Sequence, residues 1–261
     1  MPSHVCAKCL ANCHCYRSHP IDHRLKTVAD AIESVAGPHW TVCDIGSDHG
    51  YLLKSLLTDA VIARGIAVEN KPTPLQNSTR SLAGLNAEVR SGDGLQPVAE
   101  DECDGLSICG MGGKSIISIL SKYPLRVPGW LFLQPNKDVE EVREWTFQNG
   151  FFLCQEFLTT KLFTILVYRN DRRMRSQLPE TMGDVALSAQ TTSLSLDPAY
   201  ESLDRRAAFL FGPHLLRRRD PTLFARLREE HDYLKQLARR TAKSQARYEA
   251  IGRVLDFDFS E

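Results

Sequence analysis

The order of apolar segments along the first two-thirds of this 261-residue chain predicts an α/β fold with a doubly wound, mostly parallel sheet. Five short apolar segments alternate with polar or amphipathic stretches, which is the pattern of repeated strand-helix units. Each segment ends in glycine, an acid or an amide, and open α/β sheets bind ligands at the carboxyl ends of their strands. We therefore expect one sheet with a row of polar loops along one edge.

The first strand runs into a tight polar turn at residues 44–50. Gly46 can take backbone angles closed to other residues, and Gly50 lets the next helix begin close to a ligand. Asp44 and Asp48 favour a cationic or hydroxyl-rich ligand, whereas a pyrophosphate requires the denser Gly-x-Gly-x-x-Gly spacing. The Asp-x-Gly-x-x-x-Gly pattern therefore favours S-adenosylmethionine over NAD, and an ordinary strand-to-helix turn is the alternative.

Two further strands end in acids. The second strand, 65–68, ends at Glu69, and an acid at this point is the usual partner of ribose hydroxyls. The third strand, 86–90, precedes a Ser-Gly-Asp-Gly turn. We expect Asp93 in that turn to accept a hydrogen bond from an adenine amino group.

The fourth and fifth strands end in glycines and amides. The fourth, 106–109, stops at Gly-Met-Gly-Gly, 110–113, and this bare loop admits a flat ligand before the next helix begins. The fifth, 130–133, is followed by Gln-Pro-Asn at 134–136, which places two amide side chains at the same rim.

Helices and a hairpin complete the predicted domain. A helix over 137–149 precedes two strands, 151–157 and 162–168, which we expect to pair antiparallel across a short polar turn. Another helix, 22–35, covers one face of the sheet. Five strand-helix units with a final hairpin form the layout of Rossmann-like methyltransferases.

Four motifs give a more specific resemblance. They are Ile-Gly-Ser-Asp-His-Gly-Tyr-Leu at 45–52, Gly-Asp-Gly-Leu at 92–95, Gly-Met-Gly-Gly at 110–113 and Leu-Gln-Pro-Asn at 133–136. In this order and spacing they resemble the TrmK family, whose members are tRNA adenine N1-methyltransferases acting at position 22. The similarity covers about two-thirds of the chain, from Asp22 through the hairpin and again at 211–216. It implies S-adenosylmethionine as methyl donor, a Rossmann-like catalytic domain, and a helical C-terminal coiled-coil domain that helps hold tRNA.

The expected site follows from these motifs and from the chemistry. Adenine N1 carries a lone pair, so the site has to align the reactants and exclude water rather than supply a strong base. The base also has to leave its stack. Asp48 and His49 are expected to face the methyl-transfer centre, although a helix-start cap also explains His49. The residues expected to contact the cofactor are Asp44, Gly46, Ser47, Gly50, Glu69, Asp93, Gly94 and Gly110. Those expected to contact the substrate are Tyr51, Met111, Gly112, Gly113, Gln134, Asn136, Arg217, Arg218 and Arg219.

We expect four regions along the chain: a Cys/His-rich leader at 1–19, the methyltransferase domain at 20–170, a polar linker at 171–198, and a basic helical domain at 199–261. The hydrophobic content of 43% is ample for a core of this size. No apolar run approaches the ~20 residues that a membrane span requires, and no signal peptide pattern is present. We therefore expect a cytoplasmic protein with no membrane partner.

The C-terminal region is basic although the formal net charge of the chain is zero. Residues 205–253 carry thirteen Lys or Arg against five Asp or Glu. This charge is expected to bind tRNA phosphates, and a solvated helix face is the alternative. Leucines at helical spacing also form an apolar stripe that needs a partner, either residues 200–211 or another copy of the chain. Both a monomer and a homodimer through these helices remain open.

The leader contains Cys6, Cys9, Cys13 and Cys15. Four thiols can wrap zinc, but the Cys-x-Cys spacing strains a tetrahedral site, so a metal here is speculative and none is assigned. An unstructured leader and a redox role are the alternatives. Two other functions also remain open for the whole chain: methylation of another RNA, a protein or a small molecule, and RNA binding by a non-catalytic relic of the fold.

Overall fold

The computed structural model describes residues 21–170 and 197–256. Within these residues a seven-stranded sheet has the order β3-β2-β1-β4-β5-β7-β6. The first five strands are parallel, and the β6–β7 hairpin joins them through an antiparallel pairing of β7 with β5. The strands are β1 Thr41–Ile45, β2 Arg64–Glu69, β3 Ala87–Ser91, β4 Gly105–Gly112, β5 Trp130–Lys137, β6 Phe151–Leu158 and β7 Thr164–Asn170. The structure thus confirms the predicted α/β class and the closing hairpin.

Helices cover both faces of the sheet. They are α1 His23–Glu33, α2 Tyr51–Thr58, α3 Pro72–Ser81, α4 Gly113–Lys122, α5 Val139–Gln148, α6 Arg205–Phe211, α7 Pro213–Arg217, α8 Pro221–Gln236 and α9 Ala242–Asp256, with short 3-10 helices at Pro124–Arg126 and Pro198–Tyr200. Alternate strand residues face opposite sides. In β5, Phe132 packs with α1 and α2, whereas Leu131 and Leu133 pack with α4 and α5.

The end of β4 departs from the predicted loop. The strand does not stop at Cys109 but continues through Gly112, with Met111 paired to Pro135 of β5. The register shifts between Cys109 and Met111, as in a β-bulge, and Gly110 takes a left-handed φ of 77°. Because glycine adopts this angle without strain, the irregular segment still pairs with β5. The glycine-rich stretch is therefore a paired, bulged strand end rather than a free loop.

The C-terminal segment docks on the outer edge of β6. The carboxylate of Asp197 accepts a hydrogen bond from Leu153 N at 2.8 Å, and His214 Nε2 lies 3.0 Å from Leu153 O. Arg218 Nη1 donates to Glu156 O at 2.9 Å. These side chains satisfy backbone groups that an exposed edge strand would offer to another chain. The basic helical region therefore begins in direct contact with the sheet.

The helices α8 and α9 pack against each other and bury the predicted apolar stripe. Leu227, Leu234, Ile251 and Val254 are buried in a cluster that α6 and α7 also join. His231 stacks on Tyr248 with ring centroids 4.5 Å apart, which ties the two helices together. The expected contribution from residues 200–211 is present through α6, and the stripe is covered without a second copy of the chain.

Several sequence predictions fall outside the described residues. The cysteine-rich leader is one, and the linker from 171 to 196 is another; Asp197 and Pro198, predicted to belong to that linker, are part of the docked C-terminal segment. Within the two described stretches, Cys43, Cys103, Cys109 and Cys154 are not joined in disulfide bonds. No helix in those stretches is long and apolar enough to cross a membrane, and no group of three metal-ligating side chains forms there.

Candidate active site

The centre of the candidate site is a buried carboxylate between β1 and β4, where the strand order of the sheet reverses. Asp44 and Ser107 are register partners on these two strands, and Ser107 Oγ donates to the Asp44 carboxylate at 2.6 Å. Both residues are buried. Burial raises the pKa of Asp44, and the hydroxyls of Ser107 and Ser47 and the cation of Arg24 act in the opposite direction. Open α/β sheets bind ligands at such a switch point.

The loop after β1 has the strained geometry expected of a ligand-binding turn. Gly46 has a φ of 72° and Gly50 a φ of 68°, and Asp48 takes a left-handed φ of 55° although it is not glycine. A side chain at position 46 would collide with the methyl group of Met111. Glycine at this position therefore lets the end of β4 close over the loop.

The acid at the end of β2 holds this loop in place. Glu69 is buried, and its Oε1 accepts a hydrogen bond from the backbone N–H of Asp48. Ser78 Oγ of α3 donates to Asp48 O at 3.0 Å. Burial raises the pKa of Glu69, while the Asp48 N–H lowers it. Among the described residues no hydrogen bond forms to Glu69 Oε2, so this oxygen is free to accept one from a ligand.

Asp48, His49 and Tyr51 form an exposed rim beside the buried carboxylates. The rings of His49 and Tyr51 stack with centroids 5.1 Å apart and planes within 11° of parallel. His49 Nε2 lies 3.6 Å from the Asp48 carboxylate. The N-cap of α2 is Gly50, and no side chain caps it. The explanation of His49 as a helix cap is therefore wrong, and its place at the methyl-transfer centre stays a prediction.

The turn after β3 faces α4. The exposed carboxylate of Asp93 lies 3.0 Å from Lys122 Nζ in the last turn of α4. Gly94 is buried, and a Cβ there would lie 3.0 Å from Ile119. The predicted contact between Asp93 and an adenine amino group would compete with this ion pair. Exposed ion pairs contribute little to stability, so a ligand could replace Lys122 as the partner of Asp93 at little cost.

Four groups at the ends of α1, β4 and β5 form what we call the amide network: Arg24, the backbone of Gly110, Gln134 and Asn136. Gln134 Oε1 accepts from Arg24 Nη1 at 2.6 Å and from Gly110 N at 3.0 Å. Gln134 Nε2 donates to Asn136 Oδ1 at 3.0 Å, and Asn136 Nδ2 donates to Gly110 O at 2.6 Å. Each of these four bonds joins a donor to an acceptor, and together they link the start of α1 to the ends of β4 and β5.

This network changes two of the sequence-based assignments. Gln134 is completely buried and cannot contact a substrate in this conformation, so its role is to support Asn136, which is exposed. Sequence reasoning missed Arg24, whose guanidinium also lies 5.9 Å from the Phe163 ring. The available signal was a cation close after the Asp22 N-cap of α1, within a segment that resembles the TrmK family.

The last two glycines of the Gly-Met-Gly-Gly motif serve packing. A Cβ on Gly113 would strike the backbone of Asp138 and lie 3.0 Å from Val142. A Cβ on Gly112 would lie 3.0 Å from Lys137 Cε. These glycines let α4 and α5 begin close together. Because Gly113 is buried, a substrate cannot contact it directly in this conformation.

Arg217, Arg218 and Arg219, expected to bind substrate, make contacts within the chain. Arg217 donates to Glu201 O, Arg218 pairs with Asp220 at 3.0 Å, and the Arg219 guanidinium lies 4.9 Å from the Phe224 ring. Arg217 and Arg218 also line a cavity of about 500 Å³ beside β6, together with His214. Their first role in the structure is to secure the docked segment.

Comparisons with known proteins agree with this geometry. A family model described as a methyltransferase domain matches residues 21–166. The tRNA (adenine(22)-N(1))-methyltransferase of Bacillus subtilis is 28% identical over 242 residues, which cover 90% of this chain and 87% of that protein. The crystal structure of the B. subtilis M1A22 tRNA methyltransferase TrmK aligns with a TM-score of 0.71 and 26% identity over 92% of this chain and 100% of that chain. A Streptococcus pneumoniae protein solved in complex with S-adenosyl-L-methionine aligns with a TM-score of 0.70 and 26% identity over 90% and 100%. The resemblance that the motifs indicated is confirmed.

Proposed function

Because the chain belongs to the methyltransferase domain family, whose model spans residues 21–166, we propose that it methylates N1 of an adenine in tRNA, at position 22, with S-adenosylmethionine as donor. One observation carries the proposal: a buried carboxylate, Asp44, stands at the switch point of the sheet in a chain similar over 90% of its length to an enzyme of that activity. By the same reasoning we propose tRNA as its partner and the cytoplasm as its compartment.

The donor and acceptor groups in the site fit S-adenosylmethionine. The carboxylate of Asp44 and the Oε2 atom of Glu69 are acceptors suited to a cationic amine and to ribose hydroxyls. Ser47 Oγ lies near Asp44 but is buried and has no hydrogen-bond partner of normal geometry in the described parts of the chain. Native proteins seldom leave such an atom unsatisfied, and a polar ligand would satisfy it. Asp44, Gly46, Ser47 and Glu69 would hold the cofactor.

The reaction places modest demands on the protein. When bound, S-adenosylmethionine supplies a sulfonium methyl group; a C–N bond to adenine N1 forms as the C–S bond breaks, and the positive charge passes to the base. No proton has to leave N1, so no residue is needed as a strong base. The protein has to hold the base in line and keep water away, and positioning of this kind provides a large share of enzymatic rate enhancement.

The acceptor side has groups suited to a base removed from its stack. Adenine N1 is paired or stacked inside an RNA helix, so the base must flip out before it reacts. The stacked rings of His49 and Tyr51 offer an exposed aromatic surface at the rim of the site. Asn136 and the carbonyl of Gly110 offer hydrogen bonds to the edge of the base. Asp48, beside His49, places a carboxylate near the cation that the product carries.

The two long C-terminal helices supply a surface for the rest of the tRNA. Their exposed basic side chains are suited to phosphates, and neutralised phosphates release counterions. These residues, with those of the turn that joins the helices, are Arg226, Arg228, Lys235, Arg239, Lys243 and Arg253. The same helices pack against α6 and α7, and α7 is bonded to β6 of the sheet. A tRNA bound to these helices would therefore be held in a fixed position relative to the site.

Transfer of labelled methyl from S-adenosylmethionine to an unmodified tRNA transcript tests the proposal. A parallel transcript carries guanosine at position 22, and an Asp44→Asn enzyme is the control. We expect label on the adenosine-22 transcript alone and a large loss with the control enzyme. Label on both transcripts would reject position 22 and favour another acceptor. No label on either, with the cofactor bound, would overturn tRNA methylation, and RNA binding unaffected by the Asp44 substitution would then favour a non-catalytic role.

A further inference from the structure

Arg24 and the backbone of Gly110 fix the direction of the amide network, that is, which amide atoms of Gln134 and Asn136 face which neighbours. Gln134 Oε1 accepts two hydrogen bonds, one from Arg24 Nη1 and one from Gly110 N. A guanidinium and a backbone N–H are donors only, so the amide of Gln134 cannot be turned round without two donors facing its NH₂ group. The bond from Arg24 is charge-assisted and therefore the stronger of the two.

This direction passes through Gln134 to the rim of the site. With its oxygen held by Arg24, the Gln134 NH₂ group has to donate to Asn136 Oδ1, and Asn136 Nδ2 then faces Gly110 O. If the Gln134 amide turned, its NH₂ group would face two donors and its oxygen would oppose Asn136 Oδ1, and a turned Asn136 would in turn oppose Gly110 O, so the backbone of Gly110 supports the same direction as Arg24. A cation on α1 and the backbone of Gly110 on β4 thus together determine which way the amides of Gln134 and Asn136 on β5 are turned.

The members of the amide network differ in their exposure to solvent. Gln134 is completely buried, whereas Asn136 and Gly110 are exposed. The Arg24 side chain is 22% exposed and is held from its other side by the Asp22 carboxylate at 3.7 Å and by the Phe163 ring. The network is therefore anchored at one end and open to a ligand at the other.

Taking the proposed function as the premise, we propose that Arg24 is a positioning residue for recognition of the adenine 6-amino group. The amino group stands next to N1 and needs an acceptor, while N1 must meet no donor if its lone pair is to attack. Asn136 Oδ1 and Gly110 O each keep a second lone pair in the observed arrangement. A turned Asn136 would replace an acceptor by an NH₂ group, which would repel the amino group.

The test compares two substrates and three variants. The substrates are tRNAs with adenosine or purine riboside at the methylated position; purine riboside lacks the 6-amino group. Arg24→Met removes the donor, Arg24→Lys keeps one, and Lys26→Met is a matched control on the exposed face of the same helix. The measurements are kcat and KM for both tRNAs, S-adenosylmethionine affinity by calorimetry, and thermal unfolding to show that each variant folds.

We expect the wild type to prefer adenosine over purine riboside by about tenfold or more, since a polar site rejects an analogue that leaves its groups unpaired. Arg24→Met should remove most of this preference, lowering kcat on the adenosine tRNA about tenfold to a hundredfold with little change for purine riboside. Arg24→Lys should restore the preference, and Lys26→Met should match the wild type. Cofactor affinity should change less than about threefold in each variant, because no hydrogen bond of the network reaches Asp44, Ser47 or Glu69, and the Arg24 cation is the weakest of the influences that shift the pKa of Asp44.

Equal losses on both substrates with Arg24→Met would overturn the inference, because they would indicate a structural role only. An unchanged preference would overturn it as well and leave the proposed function intact. A wild-type enzyme that methylates neither tRNA would overturn the proposed function, and the inference would fall with it.

Discussion

The carboxylate of Asp44 accepts a 2.6 Å hydrogen bond from Ser107 Oγ across two neighbouring strands, at the point where the strand order of the sheet reverses. Both side chains are buried. A buried carboxylate with few donors is poorly solvated, so a cationic ligand that enters the site gains a strong partner. This relationship connects the fold directly to the choice of ligand.

Cofactor affinity should depend on pH through Asp44. Burial raises its pKa above the ordinary value of 3.8, and a cationic ligand prefers the ionised form. Cofactor affinity should therefore be highest well above the raised pKa of Asp44 and should fall as the pH drops through that pKa. This fall should occur at a higher pH than it would for an exposed aspartate.

The variant Asp44→Asn should lose about 1.5–3 kcal/mol of cofactor binding free energy at neutral pH and should lack this pH dependence. Calorimetry with S-adenosylmethionine between neutral and acidic pH checks both, with Asp30→Asn as an exposed control; an Asp44→Asn curve parallel to the wild type would contradict the assignment.

The ion pair of Arg143 and Glu156 should dominate the stability of the junction between the sheet and the C-terminal segment. Arg143 Nε donates to Glu156 at 2.8 Å, and its Nη1 donates to Phe209 O at 2.8 Å, with both side chains almost fully buried. Arg143→Met leaves a buried unpaired carboxylate, so we expect a loss of about 3–5 kcal/mol in the free energy of unfolding.

Urea unfolding of the wild type, Arg143→Met and the double variant Arg143→Met/Glu156→Leu measures this effect. The double variant should recover most of the stability, because two apolar side chains can replace a buried ion pair at little net cost. Gln148→Ala, on an exposed turn of the same helix, serves as the control. A loss below about 1 kcal/mol for Arg143→Met would place the pair among weak surface ion pairs.

The sequence allowed the strands and the acids at their ends to be predicted because those signals are local. Asp44 and Glu69 each lie at the end of an apolar run, and an apolar run of strand length that stops at an acid is visible in a few residues. The Arg24–Gln134 bond joins residues 110 positions apart, and no local pattern specifies it. The bulged end of β4 was also hidden, since its pairing depends on β5.

The Gly-Pro-His segment shows the same limit. By resemblance it belonged to a region that helps hold tRNA, yet its position in the structure is explained by docking. Gly212 has a φ of 98°, and a side chain there would strike the Glu156 carboxylate. His214 then reaches the edge of β6 at Leu153 O. The glycine at 212 and the histidine at 214 are thus required by contacts with β6, and Leu153 lies 61 residues before His214 in the chain.

Basic residues of the C-terminal region should divide into two classes when tRNA binding is measured against salt. Arg228 and Lys243 are exposed on α8 and α9, so replacing either with alanine should lower the salt slope of binding by about 1 for each phosphate that is no longer neutralised. Arg218 is bonded to Asp220 and to Glu156 O. Arg218→Ala should therefore lower the unfolding temperature and leave the salt slope of tRNA binding nearly unchanged. Filter binding over a range of salt and thermal unfolding separate the two classes. Identical slopes for the wild type and a double Arg228→Ala/Lys243→Ala variant would exclude this surface.

The carboxylate of Glu102 should stabilise the β3 side of the sheet in a pH-dependent way. Arg90 donates to both of its oxygens, at 2.6 and 2.7 Å, and holds the pKa of Glu102 at about 2, below its ordinary value of 4.5. A carboxyl with a lowered pKa stabilises the fold above its unfolded pKa, and that contribution is lost as the pH falls through the folded value. Glu102→Gln should cost about 1 kcal/mol near neutral pH, and its difference from the wild type should shrink below pH 4.5. Urea unfolding at several pH values checks this, and a difference that stays constant down to the lowest pH would contradict it.

Identification of the methylated nucleoside shows whether the enzyme transfers a methyl group to N1 of an adenine in tRNA. Unmodified tRNA is reacted with labelled S-adenosylmethionine, digested to nucleosides near neutral pH so that the methyl group does not migrate, and separated against standards. Methylation of N1 at position 22 predicts label in 1-methyladenosine alone. On the undigested tRNA it also predicts a reverse-transcription stop at the nucleotide just 3′ of position 22, since a methyl group on N1 blocks pairing. Label in N6-methyladenosine or in any other nucleoside would contradict it.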